Sequence, residues 1–161
     1  MAAYARLHCG SWPFPSLRRE RGTHSEGYGR SRGAYTSKIH ARCNNQGRPL
    51  GFILTEGLVS DYKATDTLLM LPVPNPRAML AERGYDSDCF RQALLIHAIL
   101  PVVPSREGRK APQQTDWRRY RDRDRIERMF NRLKQMRRIA TRYDKTAFSF
   151  VSFLNLGAAR H

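Results

Sequence analysis

Tyr120-Arg121-Asp122-Arg123-Asp124-Arg125-Ile126-Glu127-Arg128-Met129-Phe130-Asn131-Arg132-Leu133-Lys134 carries three faces of one helix. At about 100° per residue, Tyr120, Arg123, Glu127 and Lys134 fall into a single polar stripe. Ile126, Met129, Phe130 and Leu133, continued by Met136, fill the adjoining apolar arc, which is the width a helix needs to dock on a core. Arg121, Arg125, Arg128 and Arg132 follow one another at spacings of four, three and four and form a wholly basic third face. Taken alone, Arg123 four residues before Glu127 is an exposed ion pair worth about 0.3–0.5 kcal/mol.

The rest of the chain supplies a sheet for this helix to dock on. From Tyr35 the period is two: Tyr35, Ser37, Ile39, Ala41 and Cys43 share one face, while Thr36, Lys38, His40 and Arg42 share the other. This predicts a half-buried strand with a basic outer side and His40 at the surface or an edge. Asn44-Asn45-Gln46-Gly47 are turn residues, and Pro49 to Thr55 is the returning strand of a hairpin. Ser60 can cap a helix from Asp61 to Leu71 with Leu68 and Leu71 on one side, ended by Pro72-Val73-Pro74-Asn75-Pro76. Ala78 to Ala81 is a short buried strand, Asp88 to His97 a helix with Phe90, Ala93 and Leu94 inward, and Ile99 to Val103 a strand that Pro101 places near a sheet edge. A polar loop from Pro104 to Thr115 leads to the helix quoted above. A last helix, Lys145 to about Ala158, is capped by Asp144 and buries Phe148, Val151 and Leu154 or Leu156. Helices alternating with strands predict an α/β fold whose sheet holds parallel neighbours.

The N-terminal stretch is less patterned. Residues 1–21 mix Gly, Pro, Ser and Arg without a period, and Trp12-Pro13-Phe14-Pro15 cannot continue a helix or a central strand. A disordered or unrelated tail is expected there. Gly22 to Gly33 is glycine-rich and basic, and is expected to be a flexible loop; no strand precedes its Gly27-x-Gly29, so a phosphate loop is not indicated.

Composition narrows the partner. Against 14 Asp and Glu stand 29 Lys and Arg, a net charge of +15, which favours a polyanion, with nucleic acid first. No stretch reaches the ~20 apolar residues of a membrane span, and no secretory signal pattern opens the chain. Cys9, Cys43 and Cys89 are far apart and the histidines are scattered, so a structural zinc site is not indicated and a reduced, cytoplasmic chain is expected.

The order Tyr120, Arg123, Glu127, Lys134, with Phe130-Asn131-Arg132-Leu133-Lys134 and Arg138-Ile139-Ala140-Thr141-Arg142-Tyr143-Asp144-Lys145 behind it, resembles the signature helix of DDE transposases from bacterial insertion sequences. The wording is similar to that of the insertion sequence 5 / insertion sequence 4-like group, and the likeness runs from about Gly22 to the C-terminus. It implies an RNase H-like mixed sheet flanked by helices. It also implies DNA transposition with divalent Mg²⁺ or Mn²⁺, with transposon ends and target DNA as partners, a homo-oligomer in a transposition complex, and a nucleoid-associated location when bound. In such a site Glu127 matches the third metal-binding carboxylate. Ala81-Glu82-Arg83-Gly84-Tyr85-Asp86-Ser87-Asp88 resembles the segment of the second acid, which places Glu82 at that acid's position as an impaired ligand, since its extra methylene moves the carboxylate beyond a tolerance of ~0.5 Å. Asp86 and Asp88 are expected as helix caps. Arg123 and Lys134 would hold phosphates, Tyr120 would touch the DNA backbone, and Arg121, Arg125, Arg128 and Arg132 would bind DNA nonspecifically.

The first acid has no counterpart in that reading. The earliest aspartate is Asp61, so residues 22–161 are expected to be a partial catalytic domain, incomplete at its N-terminus, missing its central strand and inactive alone. Three functions fit: a truncated and catalytically impaired transposase, a non-catalytic basic DNA-binding protein, or a basic assembly module.

Overall fold

The computed structural model describes residues 4–13, 29–30, 35–144 and 146–160, with residues up to 35 described by their backbone alone. Its centre is a mixed sheet. β3 (Tyr35–Cys43) and β4 (Pro49–Glu56) form the expected hairpin, and β1 (Tyr4–Pro13) lies antiparallel to β3 from Arg6↔Cys43 to Pro13↔Thr36. On its other side β1 runs parallel to β5 (Ala78–Ala81), which in turn runs parallel to β6 (Leu100–Val102). A two-residue β2 (Gly29–Arg30) adds to the start of β3. The path β4-β3-β1-β5-β6, antiparallel on one side and parallel on the other, is a mixed sheet with the parallel neighbours expected from the sequence.

Two expectations about the N-terminus are corrected here. Residues 4–13 are not an unstructured tail but the central strand, and the gap expected between the hairpin and Ala78 is filled. A strand paired on both edges takes its order from its neighbours, so it need not show the period of two that betrays a half-exposed strand. The proline argument fixes only the end of the strand, at Pro13. Residues 14–21, and the expected loop over 22–33 apart from Gly29–Arg30, lie outside the described residues.

Helices cover both faces. On one, α4 (Asp124–Lys134), α5 (Arg137–Ala140) and α6 (Ala147–Ala159) pack Ile126, Met129, Phe130, Leu133, Ile139, Phe150 and Leu154 against Ile39, Ala41, Cys43 and Phe52. Each fully buried side chain of this size contributes about 1.5–3 kcal/mol. On the other face, α1 (Thr65–Leu69) and α2 (Asp88–Ile96) close Leu68, Phe90 and Leu94 over Met79 and Ala81. α1 is shorter than expected and is preceded by a 3₁₀ turn, Asp61–Ala64, with no side-chain bond from Ser60.

This second layer overturns the basic outer side assigned to β3. His40 and Arg42 are fully buried. The His40 ring bonds the Tyr85 hydroxyl through Nδ1 and the Thr55 hydroxyl through Nε2, each at 2.7 Å. Arg42 donates to the carbonyls of Leu68 (3.3 Å) and Pro74 (3.1 Å), at the end of α1 and beyond it, where carbonyls lack helical partners. Burial lowers its pKa.

The last helix is shifted in phase. Thr146, whose hydroxyl accepts from the Ser149 N–H, caps it in place of Asp144, whose carboxylate holds Arg138. Phe150, Leu154 and Gly157 are buried, while Phe148 and Leu156 are 84% and 68% exposed. α6 is apolar on nearly every side, so its sequence leaves the phase undetermined. Packing sets it: a Cβ on Gly157 would lie 3.0 Å from Ile139 Cδ1 and 3.3 Å from Leu133 Cδ2.

Candidate active edge and nucleic-acid interface

Glu82 is the first residue after β5, at the carboxyl end of a parallel strand, where open α/β sheets bind their ligands. Glu127 reaches the same place from α4. The link between them is Arg123, whose guanidinium lies 3.5 Å from Glu82 Oε1 and 3.1 Å from Glu127 Oε1. Tyr120 completes the group: its hydroxyl accepts from Arg123 Nη1 at 3.3 Å, and its ring meets Trp117 edge-on at 5.6 Å. The polar stripe therefore faces the end of β5.

The helix that carries it is not uniform. α3 (Trp117–Tyr120), capped by Asp116, passes through a 3₁₀ turn, Arg121–Arg123, before α4 begins. Burial would lower the Arg123 pKa, but the neighbouring Tyr120, Glu127 and Glu82 raise it, so the guanidinium stays charged. Burial, with Glu82 nearby, raises the Tyr120 pKa against the opposing pull of Arg123, so the phenol stays neutral and able to donate a hydrogen bond. Lys134 is exposed further along the same stripe.

Asp86 and Asp88 do not join this edge. Ser87, not either aspartate, caps α2 by accepting from the Phe90 N–H. Asp86 is buried and accepts from Arg91 Nε (2.8 Å), Arg109 Nη1 (3.1 Å) and the Arg106 N–H (3.0 Å). Asp88 pairs with Arg109. Asp61 is close to the loop after Glu82, since a Cβ on Gly84 would meet its Oδ2 at 2.3 Å, but its carboxylate pairs with Lys38 at 2.8 Å.

β1 adds what the sequence had not shown. The register Leu7↔Ala81 puts His8 in line with Glu82, one step further along both strands. The strand Tyr-Ala-Arg-Leu-His-Cys-Gly-Ser-Trp-Pro contains no carboxylate.

The basic face lies elsewhere on α4. Arg125, Arg128 and Arg132 line a cleft with Gln46, Gly47 and Arg48 of the hairpin turn. Arg121, in the 3₁₀ turn, does not line it. Residue spacing did not single out Arg48, because it reaches its place through the meeting of two segments distant in sequence; Trp117, three residues before Tyr120 on the same helix, was also not singled out.

Residues 14–159 match the transposase DDE domain family. The chain belongs to that family. It is 34% identical over 128 residues to a Brucella ovis protein named as transposase for insertion sequence element IS6501, covering 77% of this chain and 95% of that one. It is 31% identical to a Burkholderia cepacia protein named as transposase for IS402, covering 75% of this chain and 60% of that one. Among solved structures, piggyBac transposase in a synaptic complex with hairpin DNA is similar at a TM-score of 0.49 and 11% identity, over 66% of this chain and 24% of that one. The DDE family generally uses divalent metal ions, and transposases bind DNA.

Glu82 and Glu127 offer the oxygen donors that hard divalent ions need. Among the described residues, however, no group of three acidic, His or Cys side chains is placed to hold a metal, and a guanidinium stands between the two glutamates. The described residues therefore do not fit a two-ion centre. No helix among them is long and apolar enough to cross a membrane.

Proposed function

We propose that this DDE-family chain is the DNA-binding catalytic domain of an insertion-sequence transposase, impaired at its acid edge. Transposon ends and target DNA are its substrates. Glu82 and Glu127 are its remaining metal-binding carboxylates, suited to Mg²⁺ or Mn²⁺. The observation that carries this reading is Arg123 drawing Glu82 and Glu127 to one point at the end of β5.

The chain's own residues account for binding. Arg123 can exchange its carboxylates for a phosphate when DNA enters, because guanidinium forks fit both. Lys134 extends the same stripe, and the neutral Tyr120 hydroxyl can donate to a phosphate oxygen. What the edge lacks is a carboxylate on β1, where His8 stands in line with Glu82. Assembly as a homo-oligomer and a cytoplasmic, nucleoid-associated location belong to the same proposal.

The second reading, a DNA-binding protein without chemistry, draws on the same guanidinium, which compensates both acids. One experiment tests what the two share, and the variant His8→Asp/Glu82→Asp run beside it separates them, because only the first reading expects metal-dependent nicking by that variant. Supercoiled plasmid is incubated with the unmodified chain in Mg²⁺, Mn²⁺ or chelator, and both binding and nicking are followed. The proposal expects binding in all three conditions and no nicking above background. Metal-dependent nicking would refute the impairment, and absence of binding would refute both readings.

A further inference from the structure

The cleft between the hairpin turn and α4 lies apart from the acid edge. On α4, at about 100° per residue, Arg125, Arg128 and Arg132 lie about 100–160° around the axis from Glu127. Exposed Asp124 and Asn131 lie on the solvent arc between the two sides, while the core stripe of Ile126, Met129, Phe130 and Leu133 fills the opposite arc and is seated on the sheet. The arginines therefore meet a duplex on a different side of α4 from the one that carries Glu127.

The fourth arginine comes from a turn whose shape is fixed. Asn44 Oδ1 accepts from the N–H groups of Gln46 (2.9 Å) and Arg48 (3.0 Å), and the Asn44 N–H donates to the Arg48 carbonyl at 2.9 Å. Gly47 has φ +82°, and a Cβ there would lie 2.9 Å from the Arg125 carbonyl oxygen, so the turn rests directly on α4. Arg125 ties it down by donating to the Asn45 carbonyl.

Four guanidiniums thus face one cleft. Arg125 has a distant acid, Asp122, at 3.8 Å. Arg48, Arg128 and Arg132 are exposed, and their guanidiniums make no ion pair or hydrogen bond with the described residues. Like charges gathered without counter-charges repel one another, and a bound polyanion relieves this. Arg125 to Arg132 rises about 10 Å along the helix, the axial length of about three phosphates of one DNA strand.

We infer that Arg48, Arg125, Arg128 and Arg132 form a second DNA site, which grips backbone phosphates of a duplex segment flanking the one at the acid edge. It rests on the proposed DNA-binding function but not on catalysis.

The test is fluorescence anisotropy with a labelled 20-base-pair duplex, in chelator, across a salt titration. Arg128→Ala/Arg132→Ala should weaken binding about tenfold or more at 0.1 M salt and flatten the salt slope by about two. Gly47→Val keeps the charge but pushes the turn off α4, and it should also weaken binding. Arg118→Ala/Arg137→Ala removes the same charge from exposed arginines outside the cleft and should change affinity less than twofold. Equal losses in the cleft pair and the control pair, or none in the cleft pair, would overturn the site. Since no metal is present, that outcome is distinct from any failure of the catalytic proposal.

Discussion

Asp86 and Glu82 stand four residues apart and do different work. Asp86 is a buried hub holding Arg91, Arg109 and the Arg106 backbone, so Asp86→Ala leaves uncompensated cations and should cost about 3–5 kcal/mol in denaturant unfolding. Glu82 and Glu127 meet Arg123 at the surface, and changing either to Gln should cost at most about 1 kcal/mol. The pH dependence follows from Asp86. Burial would raise its pKa, but the Arg106 N–H and the Arg91 and Arg109 guanidiniums bring it below the ordinary carboxylate value. A carboxyl depressed in the folded state stabilises fully above its unfolded pKa, and that stability is lost as pH falls through the folded one. Acid titration of Asp86→Asn should therefore show a smaller loss of stability below about pH 4 than the unmodified chain. An unchanged acid limb would show that Asp86 is not the group responsible. The Glu82–Arg123–Glu127 group was legible in the sequence because helical spacing and family wording both point to it. The hub was not, since its partners Arg106 and Arg109 come from a loop whose course no local pattern fixes.

At the scale of elements, spacing placed α4 correctly because a strong apolar stripe alternates with charge. α6 has no such contrast, and its phase came out wrong. The corrected phase makes a sharp prediction: Phe150→Ala should destabilise by about 3–5 kcal/mol, whereas Phe148→Ala should stay within about 0.5 kcal/mol. A large loss at Phe148 would restore the phase expected from sequence. Gly157→Val tests the close packing of α6 on α4 and α5, where a Cβ meets Ile139 at 3.0 Å, and should cost about 1–3 kcal/mol by overpacking. β3 shows the opposite failure: its alternation was real, but covering both faces buried the polar one as well. His40 is tolerated because two side-chain hydroxyls satisfy its ring, and Arg42 because carbonyls at and beyond the end of α1 take its terminal nitrogens, leaving only Nε without a partner.

For the whole molecule, the central position of β1 predicts that residues 4–13 are needed for cooperative folding. A chain beginning at Phe14 would expose the β3 and β5 edges to intermolecular pairing, so it should aggregate or melt broadly where the full chain melts in one transition. Equal melting of the two would remove β1 from the sheet. The charge of +15 predicts duplex binding that falls on the order of 10³-fold between 50 and 200 mM salt if about six phosphates are engaged. The central claim is that the acid edge of a DDE transposase is assembled here and lacks one carboxylate, at the β1 position in line with Glu82. The direct measurement is metal-dependent nicking of supercoiled plasmid by the unmodified chain, by His8→Asp/Glu82→Asp, and by that double variant carrying Glu127→Gln. Nicking by the double variant alone, abolished by Glu127→Gln, is the predicted result. Nicking by the unmodified chain that Glu127→Gln stops would contradict the claim, because another group would then be completing the site.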